Sequence, residues 1–160
     1  MTTRRQATLY LSLPESTVIE SLRSRFNHVQ FELIRAHVTL CREDEVSDWE
    51  EVASRLSDMG SIQVTLSFGL PVRDDNLVYL PANGSTESYD ALRNALLSKV
   101  NSLPRKHNPH VTIIHPRNGT CSDSMFDEIA RQLKPFTTTF RCVTLIEQVD
   151  GGPWQDLIFR

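Results

Sequence analysis

His37-Val38-Thr39-Leu40 and His110-Val111-Thr112-Ile113 are two copies of one short pattern: histidine, apolar residue, threonine, apolar residue. Each copy lies in a stretch with the composition of a β-strand. Because side chains alternate between the two faces of a strand, the histidine and threonine share one face and the apolar residues occupy the other. We expect two such strands to present two imidazoles and two hydroxyls to a common cleft.

The secondary structure predicted around each copy follows the same order: strand, helix, motif strand, helix, strand. The predicted strands are Ala7–Leu13, Leu33–Cys41 and Ile62–Phe68, then Asn76–Leu80, Pro109–Ile114 and Phe136–Gln148, with a last strand over Trp154–Phe159. The predicted helices begin at Pro14 (apolar stripe Val18, Leu22, Phe26), at the capping residue Ser47, before Tyr89, and at the capping residue Ser122. The repeated order predicts an internal duplication with halves of about 7–70 and 76–160 inside one domain spanning residues 1–160. The predicted fold class is α+β: a two-lobed duplicated domain with antiparallel sheets around a central cleft and helices on the outer faces.

Composition excludes several functional classes. The 160 residues are 39% hydrophobic and 23% charged, as in a globular protein with a sizeable core. A net charge of −3 argues against a surface that wraps long nucleic acid, although it permits a small phosphate site. Three cysteines without CxxC spacing are expected to be free thiols, and no stretch resembles a signal core or a membrane span. We therefore expect a cytoplasmic monomer that does not bind membranes.

Paired histidines suit the chemistry of a cyclic phosphodiester. Its hydrolysis needs a base for the attacking water and an acid for the departing sugar oxygen, and histidine can serve in either role near neutral pH. A threonine two residues further along the strand lies roughly 7 Å away and can donate to a non-bridging phosphate oxygen. No metal or other cofactor is needed for this chemistry. The six glycines form neither a dinucleotide-binding nor a P-loop pattern, so nothing predicts ATP binding.

The paired motifs, their spacing and the predicted α+β order resemble the 2H phosphoesterase superfamily, which includes 2′-5′ RNA ligase-like proteins and cyclic phosphodiesterases. Asn108-Pro109 before the second motif and Trp154 near the end of the chain add to the resemblance. It implies His37 and His110 as the catalytic pair, Thr39 and Thr112 as phosphate ligands, and metal-independent opening of 2′,3′-cyclic or related phosphates on a nucleotide or RNA end. The second motif continues into Ile114-His115 where the RNA ligase-like branch has a small residue and an arginine, so the branch is left open.

Further residues are candidates for substrate contacts. Arg35 has the same strand parity as His37, and Arg117 and Lys106 border the second motif strand. Tyr10 and Tyr79, on the first strand of each half, can stack on a base or pack in the core. His115 is a candidate for a phosphate or sugar contact, and a solvated strand-end position is the alternative.

Other groups are expected to have no role in the site. His107, His110 and His115 form an H-x2-H-x4-H pattern, but strand parity predicts that His107 and His115 point away from His110, so no metal site is expected. Cys41 is expected to be a buried thiol and His28 a surface residue. The run Glu43-Asp44-Glu45 is interpreted as a solvated helix N-terminus.

Two other functions remain open at this stage. The same site could act on linear linkages, as a 2′-5′ RNA ligase or a 2′-5′ phosphodiesterase. The protein could also bind a phosphate or nucleotide without turning it over, although simple binding does not need a paired acid and base.

Overall fold

The two motif strands lie side by side in the middle of one antiparallel sheet. The computed structural model describes residues 1–101 and 103–157. Within these residues the strands are β1 (Thr3–Tyr10), β2 (His37–Cys41), β3 (Val64–Phe68), β4 (Val72–Asp74), β5 (Leu77–Asn83), β6 (His110–Ile114), β7 (Phe136–Phe140), β8 (Thr144–Val149) and β9 (Gln155–Asp156). The helices are α1 (Glu15–Phe26), α2 (His28–Leu33), α3 (Trp49–Asp58), α4 (Glu87–Leu97) and α5 (Asp123–Gln132), with a 3-10 turn over Glu43–Glu45. The predicted α+β class is confirmed.

The strand order is β7-β3-β5-β6-β2-β1-β8-β9, and β4 forms a hairpin with β5. Val38 of β2 lies directly opposite Val111 of β6. Each valine stands between the histidine and the threonine of its own motif, so this register aligns the two motifs. The four polar side chains therefore come from adjacent strands on one face of the sheet.

The other face of these strands forms the core. Val38, Leu40, Val111 and Ile113 are buried, and helices α1 and α4 cover them. Burying each such side chain contributes about 1.5–3 kcal/mol of transfer free energy. Turning either strand over would expose these residues and bury the histidines, so hydrophobic burial fixes which way the motifs face.

Helix boundaries follow local chemistry, with two corrections to the predictions. Ser122 caps α5 by accepting a hydrogen bond from Met125 N–H, as predicted. Helix α3 is capped by Asp48 instead of Ser47, whose hydroxyl donates to the Val100 carbonyl. On α1 two residues of the predicted stripe face the core, since Leu22 is buried and Phe26 packs against it, but Val18 is 43% exposed and Ile19 is buried in its place.

Most predicted strand boundaries are shifted in the structure. The first strand spans Thr3–Tyr10 where Ala7–Leu13 is predicted, and β4 has no predicted counterpart. The predicted strand Leu33–Cys41 begins only at His37, because Leu33 is still the last residue of helix α2. The predicted strand Phe136–Gln148 is two strands, β7 at one edge of the sheet and β8 near the other. The predicted last strand is present as β9, which pairs antiparallel with β8, although Ile158 and Phe159 of the predicted range lie outside the described residues.

The sheet order is symmetric about the motif strands. The first strand of each half lies beside its own motif strand, β1 next to β2 and β5 next to β6. The last strand of each half pairs with the other half, β3 with β5 and β8 with β1. The duplication and the division into two lobes stay predictions. Among the described residues, no helix is long and apolar enough to cross a membrane.

Candidate active site

The structure brings the four motif side chains into one cavity. His37 and Thr39 of β2 and His110 and Thr112 of β6 all line a cavity of about 160 Å³. Each histidine is the first residue of its strand, and each threonine follows two positions later on the same face. A cavity of this size suits a phosphate group together with part of a sugar.

Both motif histidines are held in the same way. The Nδ1 atom of His37 lies 2.7 Å from the Arg35 carbonyl oxygen, and that of His110 lies 2.9 Å from the Asn108 carbonyl oxygen. Because a carbonyl oxygen only accepts, Nδ1 must carry the proton in each ring. In the neutral imidazole the Nε2 atom then has a free lone pair, so each histidine is prepared to accept a proton at Nε2.

An aromatic ring stands against each motif histidine. Tyr10 contacts His37 edge-on with ring centroids 6.4 Å apart, and Tyr79 contacts His110 edge-on at 5.8 Å. The Arg35 guanidinium lies over the Tyr10 ring, 4.5 Å from its centroid, in a cation–π contact. These three candidates are therefore neighbours of the site, but none of them lines the cavity, and Arg35 is exposed.

The pKa of His37 is lowered to about 4, mainly by burial. The hydrogen bond to the Arg35 carbonyl raises it, and the nearby charges of Arg23 and His110 lower it. Removing an imidazolium from water is unfavourable, and neighbouring positive charge adds to that cost. His37 is therefore neutral at pH 7, which is the state that a general base needs.

The cavity is strongly cationic although the protein is acidic overall. Four arginines line it: Arg4, Arg23, Arg42 and Arg117. Among its described lining residues there is no carboxylate. Planar guanidinium groups bind phosphate oxygens through paired hydrogen bonds, so this lining favours an anionic ligand. Arg4 and Arg23 lie far from the motifs in sequence, whereas Arg42 follows the first motif by two positions, and no periodic pattern singles out any of the three.

His115 lines the cavity with the opposite tautomer. Its Nδ1 atom accepts a hydrogen bond from the backbone N–H of Arg117 at 3.1 Å, so in the neutral ring Nε2 carries the proton. Burial, followed by the charges of Arg117 and Arg4, lowers the pKa of His115. His115 is therefore a neutral hydrogen-bond donor beside the two acceptors on His37 and His110.

The parity prediction for His107 and His115 is wrong. Both side chains line the same cavity as His110, and the His107 and His110 rings stack with centroids 5.8 Å apart. The reason is that β6 spans only His110–Ile114. Residues 107 and 115 lie beyond its ends, where the alternation of a strand no longer applies. Even so, no group of three or more His, Cys, Asp or Glu side chains in the described part of the chain is arranged to hold a metal ion.

His107 is held by a buried tyrosine. The Tyr89 hydroxyl lies 2.7 Å from the Thr39 carbonyl oxygen and 2.9 Å from His107 Nδ1. The hydroxyl has one proton, which it must donate to the carbonyl, so His107 Nδ1–H donates to the hydroxyl oxygen. Burial, and then the charge of Arg93, lowers the pKa of His107 to about 4. Because the His107 ring stacks on that of His110, these contacts connect the backbone of the first motif to the histidine of the second.

The remaining candidates lie outside this cavity. Lys106 lines a neighbouring cavity of about 520 Å³ that also contacts Tyr79, His107 and His110. Cys41 is buried and unbridged, and burial raises its pKa to about 12, so it is no nucleophile. His28 is exposed, as expected. The interpretation of Glu43–Glu45 as fully solvated is wrong for Glu45, which is buried in an ion pair with Arg93.

Comparison with known proteins agrees with this arrangement. The family model for the 2′-5′ RNA ligase superfamily matches residues 11–152. The fold is similar to that of Escherichia coli LigT in its apo form, with 15% identity, a TM-score of 0.63, and 99% of this chain and 96% of that chain covered. A crystal structure described as a phosphoesterase is 14% identical with a TM-score of 0.59 and covers 98% of this chain and 96% of its own. No curated protein sequence matches the chain.

At these identities the solved structures establish the fold, whereas the family model spans most of the chain, including both motifs and the strands that pair them. The protein belongs to the 2′-5′ RNA ligase superfamily of 2H phosphoesterases.

Proposed function

We propose that this protein is a metal-independent phosphoesterase that opens 2′,3′-cyclic or related cyclic phosphates at ribonucleotide or RNA ends. The main support is the pair of histidines on adjacent strands, each tethered through Nδ1 to a backbone carbonyl, in one arginine-lined cavity. Two such groups can serve as general base and general acid on opposite sides of a single phosphorus atom.

In this mechanism His37 acts as the base, because it is neutral at pH 7. His37 Nε2 removes a proton from water as the water oxygen forms a bond to phosphorus. The bond from phosphorus to one ribose oxygen breaks, and His110, which enters this step protonated on both ring nitrogens, donates its Nε2 proton to that oxygen. The product is a phosphomonoester beside a free ribose hydroxyl, and proton exchange with solvent restores both histidines. Reversing the reaction exchanges the two roles.

The phosphate ligands of this proposal are Thr39, Thr112 and His115. The two hydroxyls and His115 Nε2–H donate to the non-bridging oxygens, where each hydrogen bond to a charged group contributes about 1.5–3 kcal/mol. The guanidinium groups around them supply the positive charge that a metal ion supplies in other phosphoesterases. This donor set is why we propose metal-independent chemistry.

Two solved structures of similar fold contain phosphate-bearing ligands. Escherichia coli LigT has been crystallised with phosphate, at 14% identity and a TM-score of 0.62, and with 3′-AMP, at 14% identity and a TM-score of 0.55. A 3′-nucleotide is one of the two products that opening a 2′,3′-cyclic phosphate would give. We extend this ligand class to the present chain as part of the proposal.

The test is an assay on adenosine 2′,3′-cyclic phosphate after treatment with a chelator. We expect turnover to persist in chelator, and the variants His37→Ala and His110→Ala to lose about 10²–10⁴-fold in kcat, the usual contribution of one acid–base group. His28→Ala is the matched control, because His28 is an exposed histidine outside the cavity. Wild-type rates in the His37 or His110 variants would refute the assignment, and loss of activity in chelator would refute metal independence.

A linear 2′-5′ linkage is a second candidate substrate. Its support is that larger cavities of about 520 and 620 Å³ adjoin the central cavity, which leaves room for a nucleoside on each side of the phosphate. Adding a 2′-5′-linked diadenosine to the same assay separates the two activities. Phosphate binding with no turnover of either substrate would instead favour a non-catalytic binding protein.

A further inference from the structure

The catalytic cavity adjoins a second charged region on the side away from Tyr79. Arg4 and Arg117 line the catalytic cavity and also a cavity of about 620 Å³ beyond it. Gln148 and Asp150 line the outer cavity as well. The Asp150 carboxylate accepts a hydrogen bond from the backbone N–H of Thr2 at 2.7 Å. The two arginines therefore stand at the boundary between the catalytic phosphate position and a wider opening.

Three of the four cavity arginines have an acidic partner. Arg4 pairs with Glu43 at 3.0 Å, Arg42 lies 3.8 Å from Asp44, and Arg23 pairs with Glu20. These carboxylates stand outside the cavity lining, so they offset positive charge without approaching a bound anion.

Arg117 differs from the other three. Within residues 1–101 and 103–157 its guanidinium makes no ion pair and no hydrogen bond. Partial burial, followed by the charge of Arg4, lowers its pKa, and Arg42 adds to this effect, whereas the charge of Glu43 opposes it without reversing it. A guanidinium placed next to other guanidiniums is unfavourable by Coulomb repulsion, and an anion bound between them would relieve that repulsion.

The reacting phosphate does not account for this extra charge. A cyclic phosphodiester has one negative charge, and Thr39, Thr112, His115 and the buried Arg23 already surround its proposed position. On the opposite side, the cavity of about 520 Å³ is lined by Leu77, Tyr79 and Pro81 together with one cation, Lys106, and one carboxylate, Asp74, so its lining has no excess of positive charge and suits an uncharged base or sugar better than a phosphate. The outer cavity of about 620 Å³ is lined by two cations, Arg4 and Arg117, and one carboxylate, Asp150, so the excess of positive charge lies on the Arg117 side.

We infer that Arg117, together with Arg4, forms a second phosphate subsite. This inference rests on the proposed function and specifies its substrate class: nucleotides that carry a phosphate beyond the cyclic one, in preference to 2′,3′-cyclic mononucleosides. The second phosphate could be a terminal 5′-phosphate or the next phosphodiester of an RNA chain. The chemistry that Arg117 recognises is the same in both cases.

Three substrates test the subsite: adenosine 2′,3′-cyclic phosphate, its 5′-phosphorylated form, and a diadenosine that ends in a 2′,3′-cyclic phosphate. We expect wild-type kcat/KM to be about tenfold higher for at least one of the two substrates with a second phosphate, in line with one hydrogen bond to a charged group. In Arg117→Gln the ratio of this kcat/KM to the kcat/KM for adenosine 2′,3′-cyclic phosphate should fall to about one. Using a ratio removes any general loss of activity in the variant, and the substrate that gives the higher value identifies the source of the second phosphate.

Arg131→Gln is the matched control, because Arg131 is an exposed arginine on α5 outside both cavities. It should keep the wild-type ratio. Raising the salt concentration should reduce the ratio in wild type and leave it unchanged in Arg117→Gln, since an exposed charge contact is screened by salt. Equal kcat/KM for all three substrates in wild type, or a ratio that survives Arg117→Gln, would overturn the second subsite and leave the proposed function standing.

If none of the three substrates is opened, the proposed function fails, and equilibrium binding still decides the subsite. Calorimetry would compare adenosine 3′-phosphate with adenosine 3′,5′-bisphosphate on wild type and Arg117→Gln. An affinity advantage of about tenfold for the bisphosphate that disappears in the variant would support the subsite. Equal affinity for the two ligands on wild type would overturn it.

Discussion

Glu45→Gln is expected to destabilise the protein far more than any other change in the acidic run before α3. Glu45 and Arg93 are 5% and 3% exposed, and they form two hydrogen bonds, of 2.6 and 3.0 Å. Glu45 also accepts from the Arg42 backbone N–H at 3.0 Å, and Arg93 donates to the Leu40 carbonyl at 2.8 Å. Since Leu40 belongs to strand β2, this ion pair supports the strand that carries the first motif.

The magnitude follows from the burial of both partners. Glutamine can replace some of the hydrogen bonds, but it leaves the Arg93 guanidinium without a counter-charge in the interior. Breaking a buried ion pair on one side costs about 3–5 kcal/mol. The free energy of unfolding of a domain is typically about 5–15 kcal/mol, so the loss would be a large fraction of the total. We therefore expect about 3 kcal/mol for Glu45→Gln, together with weaker turnover from a loosened β2.

Urea unfolding at pH 7 measures this loss, and Asp44→Asn provides the control. Asp44 lies next in sequence and pairs with Arg105 at 2.9 Å, but both side chains are about half exposed, at 53% and 52%. Exposed pairs contribute about 0–1 kcal/mol, so Asp44→Asn should change little. If Glu45→Gln cost no more than Asp44→Asn, the reasoning from burial would be refuted.

The pH dependence of the same pair has a definite sign. Burial by itself raises the pKa of Glu45, but the hydrogen bond and charge of Arg93 outweigh it and lower the pKa overall. The stabilisation is therefore present at neutral pH and is lost as the pH falls through the lowered pKa of the folded state. The free energy of unfolding of Glu45→Gln should therefore lack this part of the decrease at low pH.

Two further predictions concern the buried histidines and the tyrosine hydroxyl that contacts His107. His37 and His107 each have a pKa of about 4 against an ordinary 6.5, so the unfolded chain takes up protons first as the pH falls. The urea midpoint should therefore decrease from pH 6.5 to pH 4, less steeply in His107→Phe, and an unchanged slope in that variant would contradict the low pKa of His107. Tyr89→Phe removes the hydroxyl between Thr39 and His107, which should cost about 1–3 kcal/mol in urea unfolding and lower kcat on a cyclic phosphate. Wild-type stability and kcat in Tyr89→Phe would show that these hydrogen bonds are dispensable.

The central part of the fold could be predicted from sequence because one periodicity determines it. Val38 and Leu40 must be buried, and the same holds for Val111 and Ile113, so the residues between them must face the other way. That constraint places each of His37 and His110 on the face of its own strand that is turned away from the core, whichever strand lies beside it. The pairing of β2 with β6 is not predicted from the sequence, because the repeated order of elements indicates two halves around a cleft and does not say which strands are neighbours.

The errors arise where local pattern stops being informative. Glu45 reads as surface charge beside Glu43 and Asp44, and its partner Arg93 is 48 positions away, on a helix whose placement depends on the whole fold. Strand alternation predicts the wrong direction for the His107 side chain, because His107 lies before the first residue of β6. A tertiary contact can override the average behaviour of a charged residue, and a strand rule holds only inside the strand.

The same distinction explains how an acidic protein can contain a cationic site. Net charge counts all groups equally, whereas a bound anion interacts mainly with those that line its cavity. Here Glu43 and Glu20 offset Arg4 and Arg23 from outside the lining, and burial lowers the pKa of His37 so that no further positive charge accumulates there at pH 7. The chain can therefore stay at −3 overall while four guanidiniums meet at one cavity. Positive charge concentrated in this way suits one or two phosphates and gives no extended surface for a nucleic-acid duplex, so we expect recognition to be limited to the end of a substrate.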